Sequence, residues 1–122
     1  MASNWSRKED NMQPENIAQR QLDAYNAHLI DEFCANFDES VQIIEQADGK
    51  VTMEGKAALR EFYIKHRFNL PDLHAKLLSR ISTGNFVIDH EHITGLGDDI
   101  VELVAIYEVR DKLIQRVWFI RS

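Results

Sequence analysis

The stretch from Leu73 to Ile120 restricts the fold more than any other part of the chain. Leu73–Thr83, Phe86–Thr94, Ile100–Val109 and Leu113–Ile120 each read as a strand. Only Gly84-Asn85, the loop Gly95-Leu96-Gly97-Asp98-Asp99 and a tight turn at Arg110-Asp111-Lys112 separate them. Links this short join antiparallel neighbours, because a parallel crossover needs about a dozen residues. The C-terminal part is therefore a meander, with no helix between its strands.

Helical spacing lies ahead of it. Pro14 suits a first helical turn, where its missing N–H costs nothing. Ile17, Ala18, Leu22, Tyr25 and Leu29 then form one apolar stripe. Ile30, Phe33, Cys34 and Phe37 predict a second short helix, with Asp31 and Glu32 in its first turn, where the helix dipole favours acids. The period becomes two at Val41-Gln42-Ile43-Ile44-Glu45, and Asp48-Gly49 turns the chain into a short return strand at Val51-Thr52-Met53. A third helix is expected from Lys56 to Phe68, with Leu59, Phe62, Tyr63 and His66 on its stripe, and Pro71 stopping the chain beyond it. Helices first and a meander afterwards is an α+β order.

At 122 residues the chain is sized for one domain, and its 44% apolar content is enough for a core. Residues 1–12 lack periodicity and read as a loose tail ahead of a domain at 13–122, with Trp5 free to dock on the body or a partner. The formal charge of −6 argues against nucleic acid or an anionic membrane as partner. No apolar run is long enough to span a bilayer, and the N-terminus lacks a secretory pattern, so a cytoplasmic location is expected. The single cysteine, Cys34, excludes a disulfide framework and lies on an apolar stripe, as an inert buried thiol would.

The order of elements resembles the nuclear transport factor 2-like superfamily, in its SnoaL-like and ketosteroid-isomerase-like branch. The resemblance covers roughly residues 14–120. It rests on Ala24-Tyr25-Asn26-Ala27-His28-Leu29-Ile30-Asp31-Glu32-Phe33, Val41-Gln42-Ile43-Ile44-Glu45, Gly55-Lys56-Ala57-Ala58-Leu59-Arg60-Glu61-Phe62-Tyr63, Ile106-Tyr107-Glu108-Val109 and Ile114-Gln115-Arg116-Val117-Trp118-Phe119, taken in order. It implies a cone-shaped α+β barrel: three N-terminal helices packed in a strongly curved, mixed but mainly antiparallel sheet, with an apolar pocket at the wide end. Dimerisation through the convex sheet face is frequent in that family. Its members include isomerases, cyclases, dehydratases, epoxide hydrolases and binding modules, so the fold alone does not set activity. The isomerase chemistry needs a carboxylate base and an oxyanion hole made by a tyrosine and a protonated aspartic acid. Those positions fall on Glu45, Gln21 and Ala105, and Tyr63 matches a supporting tyrosine. One catalytic group of three is kept in kind, which counts against steroid isomerisation by that route.

Glu45 continues the face of Val41 and Ile43. A carboxyl there is either a partly desolvated base or a solvated rim residue. His90 and His92 share one strand face with Phe86 and Ile88, while Asp89 and Glu91 take the other. His90 is a candidate acid/base group. Two histidines leave a metal ion short of ligands, and no spacing requires His66, His74 or a carboxylate as the third, so neither a metal nor another cofactor is expected. Tyr25, Phe33, Phe62, Tyr63, His66, Leu103, Tyr107, Val117 and Phe119 are the expected pocket lining. The final strands are apolar on both faces, so the outer face needs a cover; Val104, Ile106, Trp118 and Ile120 point to a homodimer. The chain reads as a protein that binds a small hydrophobic molecule, as an isomerase, cyclase or hydrolase by acid/base chemistry, or else as a non-catalytic binding or dimerisation module.

Overall fold

A computed structural model describes residues 13–122; the tail expected over residues 1–12, with Trp5, lies outside the described residues. Three helices, α1 (Pro14–Ala27), α2 (Ile30–Cys34) and α3 (Lys56–His66), are combined with six strands. The strands are β1 (Phe37–Glu45), β2 (Lys50–Glu54), β3 (His74–Thr83), β4 (Phe86–Thr94), β5 (Val101–Arg110) and β6 (Leu113–Arg121). They form one sheet in the order β2-β1-β6-β5-β4-β3. β1 and β6 run parallel and every other pair is antiparallel, so the sheet is mixed and mainly antiparallel, as expected. It does not close into a barrel: β2 and β3 remain as edges. The Asn26 side chain covers part of one edge, accepting from the Ala75 N–H at 2.8 Å and donating to the Ala75 carbonyl at 2.9 Å.

The helices end earlier than their stripes suggest, for local reasons. α1 stops where His28 takes a left-handed conformation (φ 58°), which turns Leu29 off the stripe and leaves it 48% exposed. The second helix does not reach Phe37. The Asn36 side chain donates to the Glu32 and Phe33 carbonyls, closing the last turn and competing with further helix, and Phe37 opens β1. α3 ends at His66 instead of Phe68, and the Phe68 N–H bonds back to the Tyr63 carbonyl at 2.7 Å. That lets Phe68 pack with Tyr25, Phe33 and Tyr63, with ring centroids 4.7–6.2 Å apart across this cluster. Such aromatic pairs add roughly 0.5–1.5 kcal/mol each beyond their burial.

The predicted turns are where the sequence puts them. Asp111 and Lys112 both have positive φ (52° and 67°), the backbone a two-residue hairpin turn requires. Gly95 leaves β4 with φ +88°, and a Cβ there would lie 2.2 Å from the Asp72 carbonyl oxygen. Only glycine fits so close to another backbone. Among the described residues, no helix is long and apolar enough to cross a membrane.

The helices cover one face of the sheet, and the core of Ile17, Leu22, Phe33, Ile43, Leu59, Val87, Leu103 and Val117 lies between them. On the other face Val104 pairs with Ile120 and Ile106 with both Trp118 and Ile88. These side chains therefore share the outer surface, where Ile120 is 36% exposed.

Candidate functional site

Strand β4 decides the site. Its residues alternate in burial: Val87, Asp89, Glu91 and Ile93 face the helices, while Ile88, His90 and His92 face outward. Two acids thus enter the interior two residues apart. Asp89 has no solvent exposure and is held by Arg80, its direct partner on β3, through two bonds of 2.7 and 2.9 Å. Arg80 also donates to Gln19 Oε1 on α1 at 2.9 Å. Asp89 is therefore a structural ion pair with its charge matched.

Glu91 is different. It is 4% exposed, and its Oε2 has no hydrogen-bond partner among the described residues. Burial raises its pKa to about 7; the Asp89 charge adds to the rise, and Arg80 opposes it. Such an orphaned carboxyl is costly to keep, and in a cleft it marks a candidate acid/base group.

Glu91 opens onto a cavity of about 80 Å³. Tyr25, Tyr63 and Tyr107 line it with their hydroxyls held protonated, because burial pushes each phenol above its ordinary value. Gln21 on α1, itself buried, donates from Nε2 to the Tyr107 hydroxyl at 2.9 Å. Tyr107 therefore keeps its own proton free to donate. Leu22, Ile43, Met53, Phe62, Ile93, Leu103 and Phe119 supply apolar wall. Arg67 and Arg121 also line the cavity, and both are partly or largely exposed. The arrangement combines a titratable carboxyl, phenolic donors and an apolar wall, which is what proton transfer on a small bound molecule requires.

Six of the expected lining residues are brought together here: Tyr25, Phe62, Tyr63, Leu103, Tyr107 and Phe119. Three are not. Phe33 and Val117 lie behind the wall in the core, 2% and 1% exposed. His66 is exposed, because α3 ends there and its last turn faces solvent.

Glu45 does follow the inner face, standing beside Phe119 in the parallel ladder. It does not line the cavity. Arg121, two residues beyond Phe119, holds it at the rim through bonds of 3.0, 3.1 and 3.3 Å. His90 lies on the outer face of β4 and so is remote from the cavity walls. Its Nε2 is 2.6 Å from Glu102 Oε2, across the ladder on β5. His92 stands beside this pair, with ligand-type atoms of all three residues within 4.8 Å of one another. A histidine–carboxylate hydrogen bond accounts for the contact.

The residues the sequence reading passed over are Glu91, Gln21 as a Tyr107 partner, Arg67 and Arg121. Glu91 carried a signal: it shares a face with Asp89, opposite the histidines. Which face turns inward was open, because each carries two apolar residues.

Comparison with known proteins agrees with this architecture. None of the curated proteins matches. Among solved structures, a cystatin-fold protein from Novosphingobium aromaticivorans is 26% identical with a TM-score of 0.79, over 89% of this chain and 98% of its own. A candidate ketosteroid isomerase from Kribbella flavida is 23% identical with a TM-score of 0.79, over 90% and 78%. A candidate polyketide cyclase from Sinorhizobium meliloti is 16% identical with a TM-score of 0.74, over 86% and 94%. The family model for the SnoaL-like domain matches residues 18–117, most of the chain. With its element order, its mixed sheet and that match in agreement, the chain belongs to the SnoaL-like domain family.

Proposed function

We propose that the cavity binds a small, mostly apolar molecule and that Glu91 moves a proton on it, in an isomerase- or cyclase-type reaction. The observation that carries this reading is the buried Glu91 carboxyl on the cavity wall, whose Oε2 has no hydrogen-bond partner among the described residues. A group with a pKa of about 7 is well matched to both donating and accepting a proton near neutrality. Tyr107, with Gln21 holding its oxygen, is the donor that would steady a developing negative charge on a substrate carbonyl. Similar folds named for an isomerase and a cyclase support the reaction class. Glu91 replaces both Glu45 and His90 as the acid/base group. Glu45 is committed to Arg121, and His90 faces away from the cavity.

Cyclopentanone in D₂O tests this. The wild-type protein is expected to accelerate deuterium incorporation beside the carbonyl, with peak shifts at Tyr63 and Tyr107 in NMR titration. Glu91→Gln should keep the shifts and lose about 10²- to 10⁴-fold of the exchange rate. Binding without exchange above the variant's level would leave a non-catalytic binding module. No binding at all would remove the reading.

The outer face supports the homodimer. Val104, Ile106, Trp118 and Ile120 form a continuous apolar patch, extended by Phe86, whose ring lies 6.4 Å from Trp118. A second copy would cover it by two-fold symmetry. Sedimentation velocity should give about 28 kDa, twice the 14.2 kDa chain, and Trp118→Glu should shift it to monomer. A wild-type monomer at micromolar concentration would refute the dimer.

A further inference from the structure

Pairing and placement together separate one arginine from the others among the described residues. Arg60, Arg80, Arg110, Arg116 and Arg121 each hold a carboxylate. Arg20 is exposed on α1. Arg67 has no carboxylate partner among the described residues, and it lines the cavity. It is also positioned. Its Nη1 donates to the His66 carbonyl at 2.7 Å, and its guanidinium carbon lies 4.9 Å above the Phe62 ring. A guanidinium held by backbone and ring still has donors to offer a planar anion. In a chain of net charge −6, an unpaired cation fixed in a cavity wall is a recognition feature.

The neighbouring charges narrow the ligand. Arg121 is already paired with Glu45, so among the described residues the mouth offers one free cation instead of two. In its ionised form Glu91 repels a second anion from the inner end of the cavity, where like charges would meet in a low dielectric, whereas Asp89 is matched by Arg80. The acidic end of a ligand must therefore stay beside Arg67, with the uncharged body passing inward along Tyr25 and Tyr63. A cavity of about 80 Å³ admits a short chain only.

We infer that the cavity takes a small organic monocarboxylate, its carboxylate on Arg67 and its short apolar chain directed toward Glu91. This rests on the pocket reading above and names its substrate class.

Isovalerate and isovaleramide are the probes, alike in shape and different in charge. NMR titration at about pH 6 and low salt keeps the acid ionised and Glu91 mostly protonated. Isovalerate is expected to bind wild type about tenfold tighter than the amide, the usual scale for a charge-assisted pair. In Arg67→Met that preference should fall to about one while the amide binds as before, which also shows that the variant is folded. Equal binding of the two probes by wild type, or a preference that survives Arg67→Met, would overturn the inference and leave the pocket reading standing. Failure of both probes to bind wild type would overturn both.

Discussion

Replacing Glu91 by Gln should make the protein more stable, and increasingly so as pH rises from about 5 to 8. A glutamate in the unfolded chain titrates near 4.5, whereas burial holds Glu91 near 7 in the native state. Below 4.5 the group is protonated in both states and contributes nothing to the difference. Between 4.5 and 7 the native state binds the extra proton, so unfolding releases it and stability declines as pH rises. Above about 7 both states are ionised, and the full penalty of a buried carboxylate is in place. The gap between 4.5 and about 7 corresponds to about 3 kcal/mol. Glutamine keeps the shape and cannot ionise. In urea denaturation the variant's advantage over wild type should therefore grow by about 2–3 kcal/mol between pH 5 and pH 8. An advantage that stays constant with pH would show that Glu91 is not titrating in the interior. A group that lowers stability at neutral pH fits a site whose residues are held for chemistry.

Arg80→Met should destabilise the protein by about 3–5 kcal/mol at neutral pH, the cost of leaving a buried charge uncompensated. Asp89 has no solvent exposure, and both of its oxygens are held by Arg80. Methionine keeps most of the stem and removes the charge, so the loss reflects the ion pair more than packing. The double variant Arg80→Met/Asp89→Asn should recover much of the loss, since this pair then leaves no uncompensated charge behind. A single variant within 1 kcal/mol of wild type would mean that water reaches Asp89.

Much of the fold was legible because its signals are local. Turn chemistry at Asp48-Gly49, Gly84-Asn85 and Asp111-Lys112 depends on a few consecutive residues. So does the helical stripe of Ile17, Ala18, Leu22 and Tyr25. The misplaced helix ends share another cause. Phe37 and Phe68 keep helical spacing in sequence, but one opens a strand and the other folds back onto Tyr63. Apolar spacing cannot separate a residue that continues a helix from one that packs against it.

The site was legible only in its apolar part. Tyr25, Phe62, Tyr63, Leu103, Tyr107 and Phe119 could be placed because they sit on faces dominated by apolar residues. Glu45 could be placed on the inner face, but Arg121, which neutralises it, is 76 positions away. No local rule couples residues so distant.

What the sequence by itself determined is the order of helices and strands, the turns between them, and the partition of each strand into two faces. What only the tertiary structure decided is which face of β4 turns inward. Phe86 and Ile88 accompany the histidines, while Val87 and Ile93 accompany Asp89 and Glu91, so local hydrophobicity is nearly balanced. The choice is made by partners elsewhere in the chain. Arg80 offsets the charge of Asp89, the helices exclude water from Glu91, and Glu102 receives His90 outside. A buried charge can be tolerated only when its partner is supplied, and here the partner comes from another strand.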